Sequence, residues 1–491
     1  MNNEQNDPLK NASKIPMIAV LLTGAFIAIL NQTLLTTALP SLMADLEIDA
    51  NLGQWVTTAF MLVNGVMIPI TAFLIEKFTS RKLFITAMVL FGIGTLVCAI
   101  APTFGVLITG RMIQAAGAGI AMPLMQTILL LIFPVEKRGA AMGMVGLVIS
   151  FAPAIGPTLS GWLVQSYHWS ILFWILLPIV ILDIIAAFFV LKNVTTLRSP
   201  KLDTLSIILS SLGFGGLLFG FSNAGANGWL ELTVLLPTII GVVTLTWFIL
   251  RQLKLPQPIL EFRVFKYWVF TLTTIIGMIV FMSMIGAATI FPIYMQTMHN
   301  FTALESGLML LPGAVVMGIM SPITGRIFDK IGARYLGIVG LGMIFLTTAL
   351  FTNLSDSTSM TYVTVIYSFR MLGVALVMMP ITTAGINVLP RHLIPHGTAM
   401  NNTMRQIAGS IGTAVLVSVM TSVALNQGEA GNIGMVDAQI KGVNTAFMVA
   451  TGISFVGFVL AFFIKSKPKE TVNAETYGVN STQQKTATDH S

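Results

Sequence analysis

The chain has 491 residues, 55% hydrophobic and only 9% charged, with 26 Lys and Arg against 19 Asp and Glu. A soluble chain is about 25% charged, so this one could not clothe a water-facing surface of its size. Disorder, collagen and a disulfide scaffold are excluded by the same figures, which leaves an integral membrane protein.

A helix crossing about 30 Å of hydrocarbon needs about 20 mostly apolar residues. Fourteen segments meet that requirement: 16–38, 54–75, 83–101, 105–133, 139–165, 169–191, 204–223, 230–250, 267–297, 305–326, 335–352, 361–388, 397–424 and 443–464. Their apolar runs are continuous, where barrel strands would alternate. The predicted fold class is therefore an all-α membrane protein with 14 transmembrane helices. The first segment exceeds 20 residues and lacks a small-residue cleavage pattern, so it reads as a span and not as a signal peptide. Residues 1–14 and 466–491 are polar, lack periodicity and read as disordered tails.

Loops after even-numbered spans carry Lys77, Arg81 and Lys82, then Lys137 and Arg138, then Lys192, Arg198 and Lys201. Further along they carry Arg251, Lys254, Arg263 and Lys266, then Arg326, Lys330 and Arg334, and finally Arg391. The alternate loops hold Asp45, Glu47, Asp49, Glu231, Asp356, Glu429 and Asp437, with one base, Lys441. The positive-inside rule then places both termini in the cytoplasm. Every base except Arg111, Arg370 and Lys441 is assigned to the cytoplasmic side. Such a basic face suits the anionic inner leaflet and not a nucleic acid. The charges left within the membrane are Arg111, Arg370 and Asp183.

In span 1, Asn31 and Gln32 lie roughly 22 Å up from the cytoplasmic side. They can hydrogen-bond but cannot titrate near neutrality. In span 4, Arg111 lies roughly 9 Å in from the outer side, with Gln114 one turn on. A guanidinium there needs water or partners; it stays charged, so it cannot itself carry a proton. Asp183 is the one acid well inside a span. Burial favours the neutral form of a carboxyl group, which makes Asp183 a candidate proton carrier; a paired structural acid is the competing reading. Glu305, which begins span 10, reads as a helix N-terminal acid or as an outer proton-entry group. Arg370 sits nine residues into span 12 and mirrors Arg111.

Span 5 holds Pro153, Gly156, Pro157 and Gly161. Proline removes a backbone bond and bends a helix, and glycine permits close packing. Cys98, the single cysteine, excludes an internal disulfide and any cysteine-based metal site. It reads as a small buried hydrophobe. No metal site, no ATP-binding loop of the form G-x-x-x-x-G-K-[ST] and no clustered catalytic set is visible, so neither ATP hydrolysis nor enzymatic activity is expected.

The chain repeats itself. AFLIEKFTSRK at 72–82 joins spans 2 and 3, and GRIFDKIGAR at 325–334 joins spans 10 and 11. GRM at 110–112 in span 4 is echoed by FRM at 369–371 in span 12. Two six-helix halves with two inserted helices are the economical description, and such repeats mark secondary transporters with a site near the midplane. The expected organisation is a tail at 1–14, a six-helix bundle at 15–191, a linker with two inserted helices at 192–266, a second bundle at 267–465 and a tail at 466–491. The charged loops offer gates: Glu76 with Lys77, Arg81 and Lys82, and Asp329 with Lys330 and Arg334, can make charge-assisted bonds to neighbouring helix ends.

Over residues 15–465 the chain resembles the fourteen-helix drug:proton antiporters (EmrB/QacA-like) of the major facilitator superfamily. GRIFDKIGAR resembles the family's loop signature, GRMIQAAGAG at 110–119 its span-4 signature, and APAIGPTLSGWL at 152–163 its span-5 antiporter signature. HWSILFWILLP at 168–178, TALPSL at 37–42 and RQIAGSIGTAVL at 405–416 also resemble family segments. The resemblance implies a major facilitator fold in a bacterial plasma membrane. It also implies multidrug efflux, with antibiotic resistance, driven by a proton gradient with no cofactor. The partners it implies are small amphipathic substrates, protons and the lipid bilayer, with the chain as a monomer. Four positions depart from the pattern: Asn31 stands where the family usually has Asp, Glu76 and Thr79 where the first loop has Asp and Gly, and Ser160 where span 5 has Gly. Without an acid at Asn31, the proton must be carried elsewhere. An exporter of an endogenous lipid, peptide or nucleotide-type metabolite would have the same fold; a membrane enzyme is the remaining alternative.

Overall fold

The computed structural model describes residues 14–195, 197–198, 203–299, 301–429 and 434–464. The predicted tails, apart from Lys14, lie outside the described residues, as does Lys201. Among the described residues there is no strand. The chain runs as α1 (Lys14–Asp45), α2 (Ala50–Lys77), α3 (Ser80–Ala99), α4 (Phe104–Ile132), α5 (Arg138–Ser166), α6 (Ile171–Val190) and α7 (Thr204–Asn227). It continues as α8 (Leu232–Lys254), α9 (Trp268–Ile293), α10 (Ala303–Ile331), α11 (Ala333–Leu350), α12 (Met360–Asn387), α13 (Ile394–Glu429) and α14 (Met435–Ala461). All fourteen are long and apolar enough to cross a membrane.

Several helices overrun their predicted spans, because helical hydrogen bonding continues into the polar flanks once hydropathy has ended. α1 passes through Pro40 to Asp45, and α13 reaches 36 residues. Helix starts follow capping chemistry. Asp49 accepts the Leu52 N–H at 2.7 Å ahead of α2, and Thr79 accepts the Lys82 N–H at 3.3 Å ahead of α3.

Helices α1–α6 pack together, as do α9–α14. In the first group α3 lies against α4 and α6, and α1 against α5 and α6; in the second α11 lies against α12 and α14, and α13 against α9 and α14. Glycine allows some of these approaches: a Cβ on Gly117 of α4 would stand 2.3 Å from the Ala87 carbonyl oxygen of α3. The two groups meet along two antiparallel seams, α5 with α10 and α2 with α13. The α7–α8 hairpin explains itself by position. α7 packs on both α2 and α13 and so covers the second seam, while α8 packs on α7 and turns Leu236, Ile239, Val243 and Trp247 outward. The hairpin is pinned where α7 begins and α8 ends. Arg251 donates to both Asp203 carboxylate oxygens, at 2.7 and 3.1 Å, and this pairing holds the Asp203 carboxyl below the usual carboxylate range.

Successive helices alternate in direction, so the loops after even-numbered helices share one end, here called the basic end. The other carries Asp45, Glu47, Asp49, Glu231 and Asp356 and is called the acidic end.

Candidate functional site

Four helices of the first bundle converge on a buried polar network. Arg111 of α4 is fully buried; its Nη1 donates to Gln114 Oε1 at 3.0 Å and its Nε to the Val56 carbonyl of α2 at 3.2 Å. Its guanidinium carbon lies 4.3 Å from the centroid of the Phe60 ring, a cation–π contact. Gln114 accepts a second bond from Asn31 Nδ2 of α1 at 3.3 Å and donates to Thr95 Oγ1 of α3 at 2.8 Å. Cys98 Sγ stands 3.8 Å from Gln114 Oε1, a weak thiol donor in a fully buried position. Asn31, Gln114 and Arg111, singled out separately in the sequence, thus form one cluster. Gln32 beside them is half-buried and makes no hydrogen bond among the described residues. The network contains no carboxylate. Arg111 Nη2 is buried with no partner, so the arginine is positioned with spare donor capacity.

The second bundle repeats the device. Arg370 of α12 is fully buried and donates through Nη2 to the carbonyl and hydroxyl oxygens of Ser283 in α9, both at 2.7 Å. Its Nε donates to Thr348 Oγ1 of α11 at 3.3 Å, and Nη1 has no partner. Each arginine sits on the fourth helix of its group and ties to a threonine network on the third, Thr95 in one case and Thr348 in the other.

Asp183 of α6 stands apart from both clusters. It is 4% exposed, and its Oδ2 is buried without a hydrogen bond. A Cβ on Gly24 of α1 would lie 3.0 Å from that oxygen, and 2.7 and 3.1 Å from Phe84 and Met88 of α3. The carboxyl group therefore lies in an apolar niche between α1, α3 and α6. Glu305 lies at the exposed start of α10, where its carboxylate accepts the Thr302 N–H and hydroxyl at 2.8 and 2.9 Å in a capping box. The capping box is one of the two roles expected of it; the proton-entry reading is not decided by it.

The two groups of helices are locked together at the basic end. Asp329 of α10 accepts the backbone N–H of Gly139 at 2.7 Å and of Ala140 at 2.9 Å, at the start of α5. A carboxylate at a helix N-terminus also meets the favourable end of the macrodipole. Arg138 donates to Asn387 Oδ1 at 2.9 Å, and Arg391 to the Leu131 carbonyl at 3.3 Å. Glu76 faces His396 Nε2 of α13 at 3.2 Å and Arg198 at 3.6 Å. His396 Nδ1 accepts the Glu261 N–H at 3.3 Å, so Nε2 carries the proton and donates to Glu76. Among the described residues, every side-chain hydrogen bond between the two groups lies toward this end.

The other predicted gate residues do different work. Lys77 lies over the Phe73 and Phe78 rings, and Arg81 over the Phe188 ring at 4.6 Å. Lys330 and Arg334 are exposed and make no ion pair among the described residues. In α5 the helix is continuous through Pro153 and Pro157. Gly156 lets Thr33 of α1 approach so closely that a Cβ would stand 2.2 Å from its hydroxyl oxygen. Gly161 is half-buried.

Sequence reasoning missed two residues. His396 was readable only as a histidine opening an apolar helix. Arg405, assigned with the other bases to the cytoplasmic side, is instead 5% exposed within α13, its guanidinium 4.8 Å from the Phe281 ring centroid of α9. The signal that could have found it is its place inside the apolar segment 397–424.

Comparison with known proteins places this geometry. A family profile described as Major Facilitator Superfamily matches residues 21–413. The chain is 60% identical to the MFS-type transporter YcnB of Bacillus subtilis (strain 168), over 92% of this chain and 95% of that protein. It is 41% identical to the lincomycin resistance protein LmrB of the same organism, over 92% of this chain and 96% of that protein. The crystal structure of the human organic anion transporter MFSD10 superposes with a TM-score of 0.67 at 14% identity, covering 91% of this chain and 99% of that one. At that identity the likeness concerns the fold.

Proposed function

This chain belongs to the Major Facilitator Superfamily, and from that premise we propose that it is a proton-driven exporter of amphipathic drugs or biocides working by alternating access. It is a multi-pass membrane transporter and not an enzyme; the direction, the driving ion and the substrates are the proposal. Likeness to a lincomycin resistance protein along nearly the whole chain supports export of an antibiotic. The charge distribution supports the basic end as cytoplasmic, so the polar locks there describe an inward-closed state. Opening would break the Asp329–Gly139 and His396–Glu76 bonds and rock the bundles about the α5–α10 and α2–α13 seams.

The observation that carries proton coupling is the niche of Asp183. Burying a bare carboxylate costs several kcal/mol, so the group changes charge only when water or a partner reaches it. α1 lines that niche at Gly24 and carries Asn31 two turns further on. A shift of α1 on proton loss would therefore reach the Asn31–Gln114–Arg111 network directly. With Asn31 unable to titrate, Asp183 takes the proton role, the membrane proton gradient is the energy source and no cofactor takes part. Arg111, Gln114, Asn31 and Gln32 then line the substrate path in one bundle and Arg370 in the other. Everted membrane vesicles carrying the protein are expected to accumulate lincomycin and unrelated neutral amphiphiles when energised. Accumulation of a single native metabolite and none of these would replace the multidrug reading with that of a dedicated exporter.

A further inference from the structure

Among the described residues four arginines are buried; Arg138 lies at the basic end, and of the other three, two are held. Arg111 is fixed by hydrogen bonds to the Val56 carbonyl of α2 and to Gln114 of its own helix, and Arg370 by three hydrogen bonds to α9 and α11. Arg405 makes no hydrogen bond and no ion pair among the described residues, although it is 5% exposed, and its Nη1 is buried without a partner. No acid faces it: of the buried acids described, Asp183 lies in the niche by Gly24 and Glu261 pairs with Arg263 at 3.3 Å. The single contact recorded for its charge is the Phe281 ring.

Its surroundings repeat the pattern. Thr398, Asn401 and Arg405 follow one another at helical spacing and share a face of α13. Thr398 Oγ1 and Asn401 Oδ1 are buried and unpartnered. Across the seam on α4, Gln126 Oε1 accepts from Asn402 Nδ2 at 2.7 Å while its Nε2 is left without a partner. A buried polar atom without a partner costs free energy, and here several collect on one helix face at the junction of α4, α9 and α13. A guanidinium, an amide NH2 and a hydroxyl can donate here, the hydroxyl and one amide oxygen can accept, and the one charge among them is positive.

We propose that Arg405, with Gln126 and Thr398, forms a binding site for the anionic group of amphipathic organic anions, the aromatic part of the ligand stacking beside Phe281. The charge at this site is permanent, so the site selects carboxylate, phosphate or phenolate groups and rejects cations, which find no carboxylate here. This deepens the efflux reading and rests on it for the statement that the bound anions are cargo. The α2–α13 and α4–α13 contacts bury the site in the present state, and separation of α13 from α4 would admit the ligand.

The test uses the full chain in phosphatidylcholine nanodiscs, whose bilayer carries no net charge, with two xanthene dyes of opposite charge, fluorescein and rhodamine 6G, read by fluorescence polarisation. Wild type is expected to bind fluorescein more tightly than rhodamine 6G. Arg405→Gln is expected to weaken fluorescein by about tenfold or more, the scale of one charge-assisted bond, and to leave rhodamine 6G unchanged or tighter. Arg405→Lys should retain most of the fluorescein affinity. Gln126→Met, which removes the second donor and spares the charge, should lose several-fold and keeps the question open to test if Arg405→Gln does not fold. Wild type without fluorescein binding, or Arg405→Gln and Gln126→Met with unchanged fluorescein affinity, overturns the site. Fluorescein bound through Arg405 but never moved in energised vesicles contradicts the efflux reading and leaves the site standing. Lincomycin exported by a protein that does not bind fluorescein contradicts the site alone.

Discussion

Asp329 of α10 accepts the Gly139 N–H of α5 at 2.7 Å, and this bond fastens one six-helix group to the other. The same crossing has no room to spare, since a Cβ on Gly325 would stand 2.2 Å from the Gly139 carbonyl oxygen. Hydrogen bonds to a charged group are worth about 1.5–3 kcal/mol each. Asp329→Ala is therefore expected to shift the closed-to-open ratio at the basic end by about tenfold or more toward open. Spin labels placed on α5 and α10 at that end would report a longer mean distance in the variant. An unchanged distance distribution would show that the seam is held by packing alone.

Gln114 is the hub of the first-bundle network: it accepts from Asn31 and Arg111 and donates to Thr95. Gln114→Leu keeps the volume and leaves Arg111 with the Val56 carbonyl as its remaining hydrogen-bond acceptor. Each buried polar group so stranded costs about 1–3 kcal/mol. The variant should melt several degrees below wild type in detergent, and it should lose stability rather than gain it. Equal melting temperatures would mean that water replaces the glutamine and that its hydrogen bonds add nothing to stability.

Asp45, at the acidic end, accepts the Trp169 indole N–H at 2.9 Å and lies 3.0 Å from His168 Nε2. The Trp169 bond, followed by the His168 bond, holds its carboxyl below the usual carboxylate range. A group with a depressed native pKa contributes stability that is complete above its unfolded value, about 4, and is lost as the pH falls through the native value. Asp45→Asn should therefore melt below wild type at pH 6, with the gap closing below about pH 4. A gap that stays constant from pH 6 to pH 3 would assign the effect to shape and not to charge.

The architecture was legible because scarce charge in long apolar runs has one physical meaning, and each lone ionisable residue in such a run stands out. That is how Arg111, Arg370 and Asp183 came to notice. Arg405 escaped because Asn401, Asn402, Gln406 and Ser410 surround it with polarity, and a charge among polar neighbours reads as belonging to a loop. The partners were not legible at all. Asn31 and Gln114 are brought together by how α1 rotates and slides against α4, and His396 meets Glu76 by the register of α13 on α2. Neither register is written in the periodicity of a single helix. Glu305 is the reverse case: its capping box with Thr302 is a local pattern, complete within one helix start.

Proton-driven export with Asp183 as the carrier joins the buried niche to the Asn31–Gln114–Arg111 network. It is tested most directly by transport of lincomycin in proteoliposomes under an imposed pH gradient, comparing wild type with Asp183→Asn. The substitution removes a carboxyl group that has no hydrogen bond at Oδ2, so the folded protein should be as stable as wild type and any loss is one of coupling. Wild type is expected to transport in a gradient-dependent way, and Asp183→Asn to lose that transport with substrate binding retained. Transport that survives the substitution with its gradient dependence intact, or wild-type transport indifferent to the gradient, would contradict it.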